Sequence, residues 1–208
     1  ETFDVFLKKH IFDPLDMKDT AFSVPKSKLD RFAANYNTNN RGKLTLIDDP
    51  VKSRYAKKVT FFSGGGGLVS TARDYMRFLL MIQNGGELYG KRLLSKKAVK
   101  LMTTNQLPKG VKWVKFGTAS RTGVGFGLGF SVFTQKSKWD PLGRVGEYGW
   151  GGAASTHFWT SPKDQLSVVT LEQTMPYSFL TEFAVSVGSR GRTSPLLSVP
   201  PVAENFRH

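Results

Sequence analysis

The residues best suited to chemistry in this chain are Gly149-Trp150-Gly151-Gly152-Ala153-Ala154-Ser155. Two adjacent glycines on a strand weaken it and strip side chains from a face, so they are expected where a ligand or second backbone comes close. A backbone N–H there could supply one donor of an oxyanion hole. The same glycines fit a bulge at a sheet edge equally well. The pattern alone leaves these two readings even.

Other reactive groupings are sparse. There is no cysteine, which excludes disulfides, thiolate metal sites and cysteine nucleophiles. Of the three histidines, His10 ends a helix and His208 lies in the tail. Only His157 sits on a strand, and a lone strand histidine without an evident partner reads as structural. Neither H-E-x-x-H nor G-x-S-x-G occurs, so no metal ligand set and no nucleophile elbow is expected. Gly64–Gly67 lacks the Lys-Ser/Thr of a phosphate loop and reads as a tight turn. Ser23-Val24-Pro25-Lys26 matches Ser-x-x-Lys, but Pro25 interrupts the helical turn that would align the pair. Arg121-Thr122-Gly123 imitates a Lys-Thr-Gly triplet and is discounted for its place in a polar loop.

The elements that must position the glycine pair follow from periodicity. A first helix spans Thr2 to His10, and Pro14 prevents its continuation. Residues 11–60 read as mostly irregular, with Asn35, Asn37, Asn39, Asn40 and Gly42 marking a turn-rich loop. Thr71 and Asp74 form a helix cap, and Tyr75, Phe78, Leu79 and Ile82 make the apolar stripe of the helix that Gly85-Gly86 ends. Ser95 caps another helix, with Ala98, Val99, Leu101 and Met102 on its buried side. One strand is expected over Gly125–Phe133, with a crowded face and a close-approach face. Others are expected over Val145–Trp150, Ser155–Thr160 and Leu166–Gln173, with a hairpin turn at Ser161–Asp164. Pro176 opens a last helix through Phe179, Phe183 and Val187, and 188–208 reads as a disordered tail. The layout is α+β, an antiparallel sheet flanked by helices.

The chain has 208 residues and a net charge of +14, with basic residues scattered in pairs such as Lys57-Lys58 and Lys96-Lys97. No zinc-finger, RRM or helix-turn-helix spacing accompanies them, so a lysine-rich solvated surface is expected and nucleic acid is not. No apolar run approaches the length of a membrane-spanning helix.

Several segments in order resemble the serine β-lactamase-like hydrolases: class C β-lactamases, family VIII carboxylesterases and D-amino-acid peptidases. They are Ile11–Thr20, Gly64–Tyr75, Gly125–Phe130, Trp150-Gly151-Gly152 and Phe158-Trp159, and the resemblance covers residues 1–187. It implies a serine hydrolase acting through an acyl-enzyme on a small-molecule ester, amide or β-lactam, with no cofactor. In the family pattern Ala153 N–H is the oxyanion donor, Trp150 lines the acyl pocket, and Gly151 and Gly152 let the substrate lie along the strand. Trp-Gly-Gly is similar to the esterase branch, not to Lys-Thr-Gly. The Ser-x-x-Lys and Tyr-centred motifs normally precede the matched segments, which implies the C-terminal half of the fold, lacking its N-terminal half. The alternative is a non-catalytic module of the same fold binding cell-wall polymer or a partner protein.

Overall fold

A computed structural model of the chain describes residues 1–38, 43–116, 119–138 and 140–175. The helix expected from Pro176, the tail over 188–208 and the boundary at 187 lie outside the described residues.

The chain opens with α1 (Phe3–Leu7), which continues as a π-helical turn over Lys8–Phe12. This takes the helical path two residues past His10, before Pro14 stops it. Strands β1 (Asn35–Thr38) and β2 (Leu44–Asp48) come next, then α2 (Ala72–Gln83) and the short hairpin β3 (Glu87–Leu88) and β4 (Lys91–Arg92). After α3 (Lys96–Met102) come β5 (Lys115–Phe116), β6 (Ala119–Ser120), β7 (Val124–Phe126) and β8 (Ser131–Phe133). The described chain finishes with β9 (Tyr148–Gly151), β10 (Thr156–Ser161), β11 (Leu166–Leu171) and β12 (Thr174–Met175).

The expected α+β layout is present. Strands β11-β10-β9-β8-β7 form a five-stranded antiparallel sheet with β9 at its centre. Helix α2 packs across it, its Tyr75 ring 5.2 Å from that of Phe158 on β10. Leu79 and Ile82 of the α2 stripe are buried as expected. Thr71 Oγ1 accepts from the Asp74 N–H at 3.2 Å, which is the first half of the expected cap. Gly85 donates to Ile82 O and Gly86 to Met81 O, with φ of +70° and +96°, a Schellman ending that only glycine adopts without strain. Ser95 Oγ caps α3 by accepting from Ala98 N–H. Leu101, however, is exposed: Val99 and Met102 lie three residues apart on the packed face, and Leu101 points away from it.

Two segments differ from expectation. The asparagine-rich loop contains a strand, β1, which pairs antiparallel with β2 and parallel with β12. Asparagine disfavours strands locally, and the two flanking partners override that preference. The single strand expected over 125–133 is a hairpin, β7–β8, closed by Gly127 N–H donating to Phe130 O, with Gly129 at φ +92°. The close-approach face is real. Residues 105–106 lie along β7, where Gln106 N–H donates to Phe126 O and Asn105 Oδ1 accepts from Phe126 N–H. A Cβ on Gly125 would collide with the Asn105 side chain, and one on Gly127 with Met102 O.

A buried carboxylate ties the segment around residues 16–20 to α2. Asp74, 3% exposed, accepts from Asp19 N–H at 2.7 Å and from Thr20 Oγ1 at 3.1 Å. Its side chain is thus spent on a distant loop, not on completing the capping box. Arg77 bridges the same carboxylate at 3.8 Å to that of Asp16 at 3.0 Å. Replacing Asp74 with Ala leaves these donors without their acceptor and is expected to destabilise the chain by about 2–3 kcal/mol. Urea denaturation measures this, and a loss below about 0.5 kcal/mol would show that the loop is docked by other contacts.

Candidate active site

Strand β9 ends at Gly151, and the chain reverses through Gly152-Ala153-Ala154-Ser155 into β10. Gly152 N–H donates to Thr156 O at 2.8 Å and Ser155 N–H to Gly152 O at 3.1 Å, closing a three-residue hairpin loop. Ser155 takes the left-handed position of that loop at φ +59°, where glycine is the usual occupant. A non-glycine residue there costs about 1 kcal/mol. Ser155 is buried and its Oγ donates to Thr174 O at 2.9 Å, while Thr174 N–H donates to Ala154 O at 3.2 Å. The loop is thereby fastened to β12 of the second sheet.

The glycine pair accordingly stands at the end of the central strand, not at a sheet edge. Gly152 has a second reason to lack a side chain: its Cβ would strike Thr156 Oγ1. Ala153 is exposed at the head of the loop, and no backbone hydrogen bond among the described residues engages its N–H.

Trp150 is half-buried and lies opposite Phe158 in the β9–β10 register. Its ring meets Phe126 edge-on at 4.9 Å, and the Arg121 guanidinium lies 5.7 Å from its centroid. Phe158 in turn packs on Phe130 at 5.6 Å and on Tyr75 at 5.2 Å. Trp150 thus shares a sheet face with its strand partner and packs, half-buried, against the core that Phe158 enters. Tyr75 cannot serve as a base: burial pushes its hydroxyl up to about 12. Burial also raises Tyr148, against a hydrogen bond with Thr160 that lowers it. His157, paired with Gly151, is held below its ordinary value by burial and then by the Arg121 cation.

Of the residues picked out from sequence, Trp150, Gly151, Gly152 and Ala153 are consecutive and stand at one strand end. The pair Ser23 and Lys26 is not brought into a shared helical turn: Pro25 precedes a 3-10 helix over Lys26–Arg31, leaving Ser23 outside it. The Gly64–Gly67 run is a turn standing clear of α2, whose first residue is Ala72. Arg121, discounted in the sequence for its loop position, is brought onto Trp150. Only the Arg-Thr-Gly triplet marked it, and that triplet says nothing about proximity to β9. Among the described residues no group of three His, Asp or Glu side chains is placed to hold a metal ion. None of their helices is long and apolar enough to cross a membrane.

The family profile described as Beta-lactamase matches residues 1–183. Protein Rv1367c of Mycobacterium tuberculosis is 34% identical over 174 residues, which cover 82% of this chain and 43% of that protein. Among solved structures, EstCE1, a hydrolase with promiscuous acyltransferase activity, superposes with a TM-score of 0.74 at 19% identity. That match covers 91% of this chain and 50% of EstCE1. Simvastatin synthase (LovD) from Aspergillus terreus gives 0.70 at 19% identity, covering 92% and 50%. The chain thus spans half or less of the length of each protein it matches here.

The lowered His157 pKa has a defined sign. A histidine whose folded-state pKa lies below 6.5 contributes stability that is fully present above that value. The contribution is lost as pH falls through the folded value. Melting temperature is expected to fall more steeply in the wild type than in H157Q as pH is lowered through and below the ordinary histidine value of 6.5. Parallel curves for the two proteins would refute the downward shift at the half-buried imidazole.

Proposed function

The chain belongs to the β-lactamase family, and from that premise we propose that it forms the C-terminal, oxyanion-bearing portion of a serine hydrolase working through an acyl-enzyme. Esters, amides and β-lactams are the substrate classes, with the Trp-Gly-Gly motif favouring esters. The serine nucleophile and the lysine and tyrosine that move its proton belong to the preceding half of the complete protein.

The observation that carries this reading is the Ala153 N–H, engaged by no backbone hydrogen bond among the described residues, at the head of an exposed loop that two hydrogen bonds fasten to Thr174. Serine attack turns the acyl carbonyl into a tetrahedral oxyanion. A backbone donor fixed in advance stabilises that charge without reorganising as it forms. The N–H of the serine itself completes the pair of donors. Gly151 and Gly152 leave the strand end bare, so the acyl group lies along β9 with the Trp150 ring beside it. Collapse expels the leaving group, and water then releases the acid from the ester intermediate.

Ala153→Pro removes the proposed donor and nothing else from the loop. Proline is favoured at the second position of such turns, and Gly152 before it has no Cβ to clash with the proline ring. In the complete enzyme A153P is expected to melt near the wild type while kcat/KM for a p-nitrophenyl ester falls about a hundredfold or more. Retained kcat/KM would place the oxyanion hole elsewhere. The 208-residue chain alone is expected to show no acylation burst, because its nucleophile lies in the other half. A burst would overturn that division of labour.

A further inference from the structure

We infer that the outer face of α3, with the β7–β8 turn seated at its end, docks the protein onto an anionic lipid bilayer. The inference stands on this face alone and takes nothing from the hydrolase reading.

The charge of the chain is unevenly placed. Between Glu87 and Asp140 no acidic residue occurs, while Lys and Arg occur eleven times. Around residues 8–31 the pattern is different, because Lys8, Lys18, Lys28 and Arg31 each pair with an aspartate. On α3 the side chains of Lys96, Lys97 and Lys100 are exposed. Among the described residues no carboxylate lies within ion-pair distance of these three.

Helical spacing gives them a common direction. Each residue turns the helix by about 100°, so Lys96, Lys100, Lys97 and Leu101 follow one another around less than half of its circumference. Val99 and Met102 take the opposite side and supply the packing. Leu128 N–H donates to Met102 O at 3.2 Å, which seats the β7–β8 turn on the end of the helix. Leu101 and Leu128, 41% and 53% exposed, therefore stand at the same end of α3, and neither serves the core.

Uncompensated ammonium groups are drawn to anionic headgroups, and each adds to the affinity for such a surface. Exposed leucines beside them bury apolar area at the boundary between headgroups and acyl chains. A soluble polyanion would satisfy the lysines and leave the leucines in water, so a bilayer fits the whole face better. The contact is peripheral, since a helix of seven residues lies on a membrane and cannot cross one.

A chain of net charge +14 is drawn to any anionic surface, so the test must separate this face from total charge. The 208-residue chain is sedimented with phosphatidylcholine vesicles, with and without phosphatidylglycerol, at about 0.15 M salt. Binding is expected only where phosphatidylglycerol is present. K96Q/K97Q/K100Q should weaken it about a hundredfold. K52Q/K57Q/K58Q, which removes the same charge from another exposed stretch, should weaken it less than about fivefold. L101S/L128S keeps every charge; it should weaken vesicle binding about tenfold and leave binding to soluble polyglutamate unchanged. All three variants alter exposed side chains, and their melting curves should match that of the wild type. No binding to anionic vesicles, or equal losses in the two lysine variants, would overturn the proposal. Undiminished vesicle binding by L101S/L128S would also overturn it, by reducing the face to a site for soluble polyanions.

Discussion

Everything at the candidate site depends on how Phe158 is seated. Its ring is 8% exposed and packs against Tyr75 of α2 on one side and Phe130 on the other. Phe130 stacks at 5.3 Å on Tyr148, two residues before Trp150 on β9. Burying a side chain of this size contributes about 2–3 kcal/mol, but its position matters more than its area. Phe158 is the strand partner of Trp150, so the same contact that fastens the helix to the sheet also seats the strand position that carries Trp150. A small group at this point would loosen the helix packing and the seating of Trp150 together.

Two close backbone approaches complete the positioning. Along β7, glycines at 125 and 127 admit the chain that leaves α3, and that chain clamps Phe126 by both of its backbone groups. Phe126 then meets the Trp150 ring edge-on. At the other end of β9, the left-handed Ser155 and its bond to Thr174 fasten the hairpin loop to the second sheet. The strain at Ser155 is offset locally by two hydrogen bonds to one residue. The end of β9 is thus held at Trp150 by Phe126 and at the loop beyond it by Thr174.

What could be read from the sequence was what local chemistry decides. The Thr71 and Ser95 caps, the Gly85-Gly86 ending, the α2 stripe and the order of the sheet strands depend on neighbours within a few residues. The Trp150–Ala153 run was visible for the same reason, because adjacent glycines next to a bulky aromatic are unusual on a strand. The features that escaped depend on distant partners. Strand β1 exists because Thr174 and Met175 lie beside Tyr36 and Asn37, and nothing in its asparagines announces them. Asp74 has the spacing of a capping box, yet its carboxylate serves Asp19 and Thr20. Arg121 sits in a loop whose polarity argued for solvent, and only the folded sheet carries it to Trp150. Leu101 shows the opposite failure, an apolar residue that periodicity placed inside and the short α3 leaves outside.

The parallel pairing of β1 with β12 bears on how the protein comes to be made. Every other strand pair among the described residues is antiparallel and joins segments close in sequence, which can zip up as they leave the ribosome. Tyr36 and Asn37 must wait for Thr174 and Met175, across nearly the whole described chain. Closing so long a loop is entropically slow and comes after the hairpins are in place. Meanwhile β1 keeps an unpaired edge where β12 will lie, beside β2 with its Leu44 and Ile47 about half exposed. Nascent chains of this protein should therefore be chaperone clients until β12 emerges, with the β1–β2 hairpin as the stretch most in need of cover.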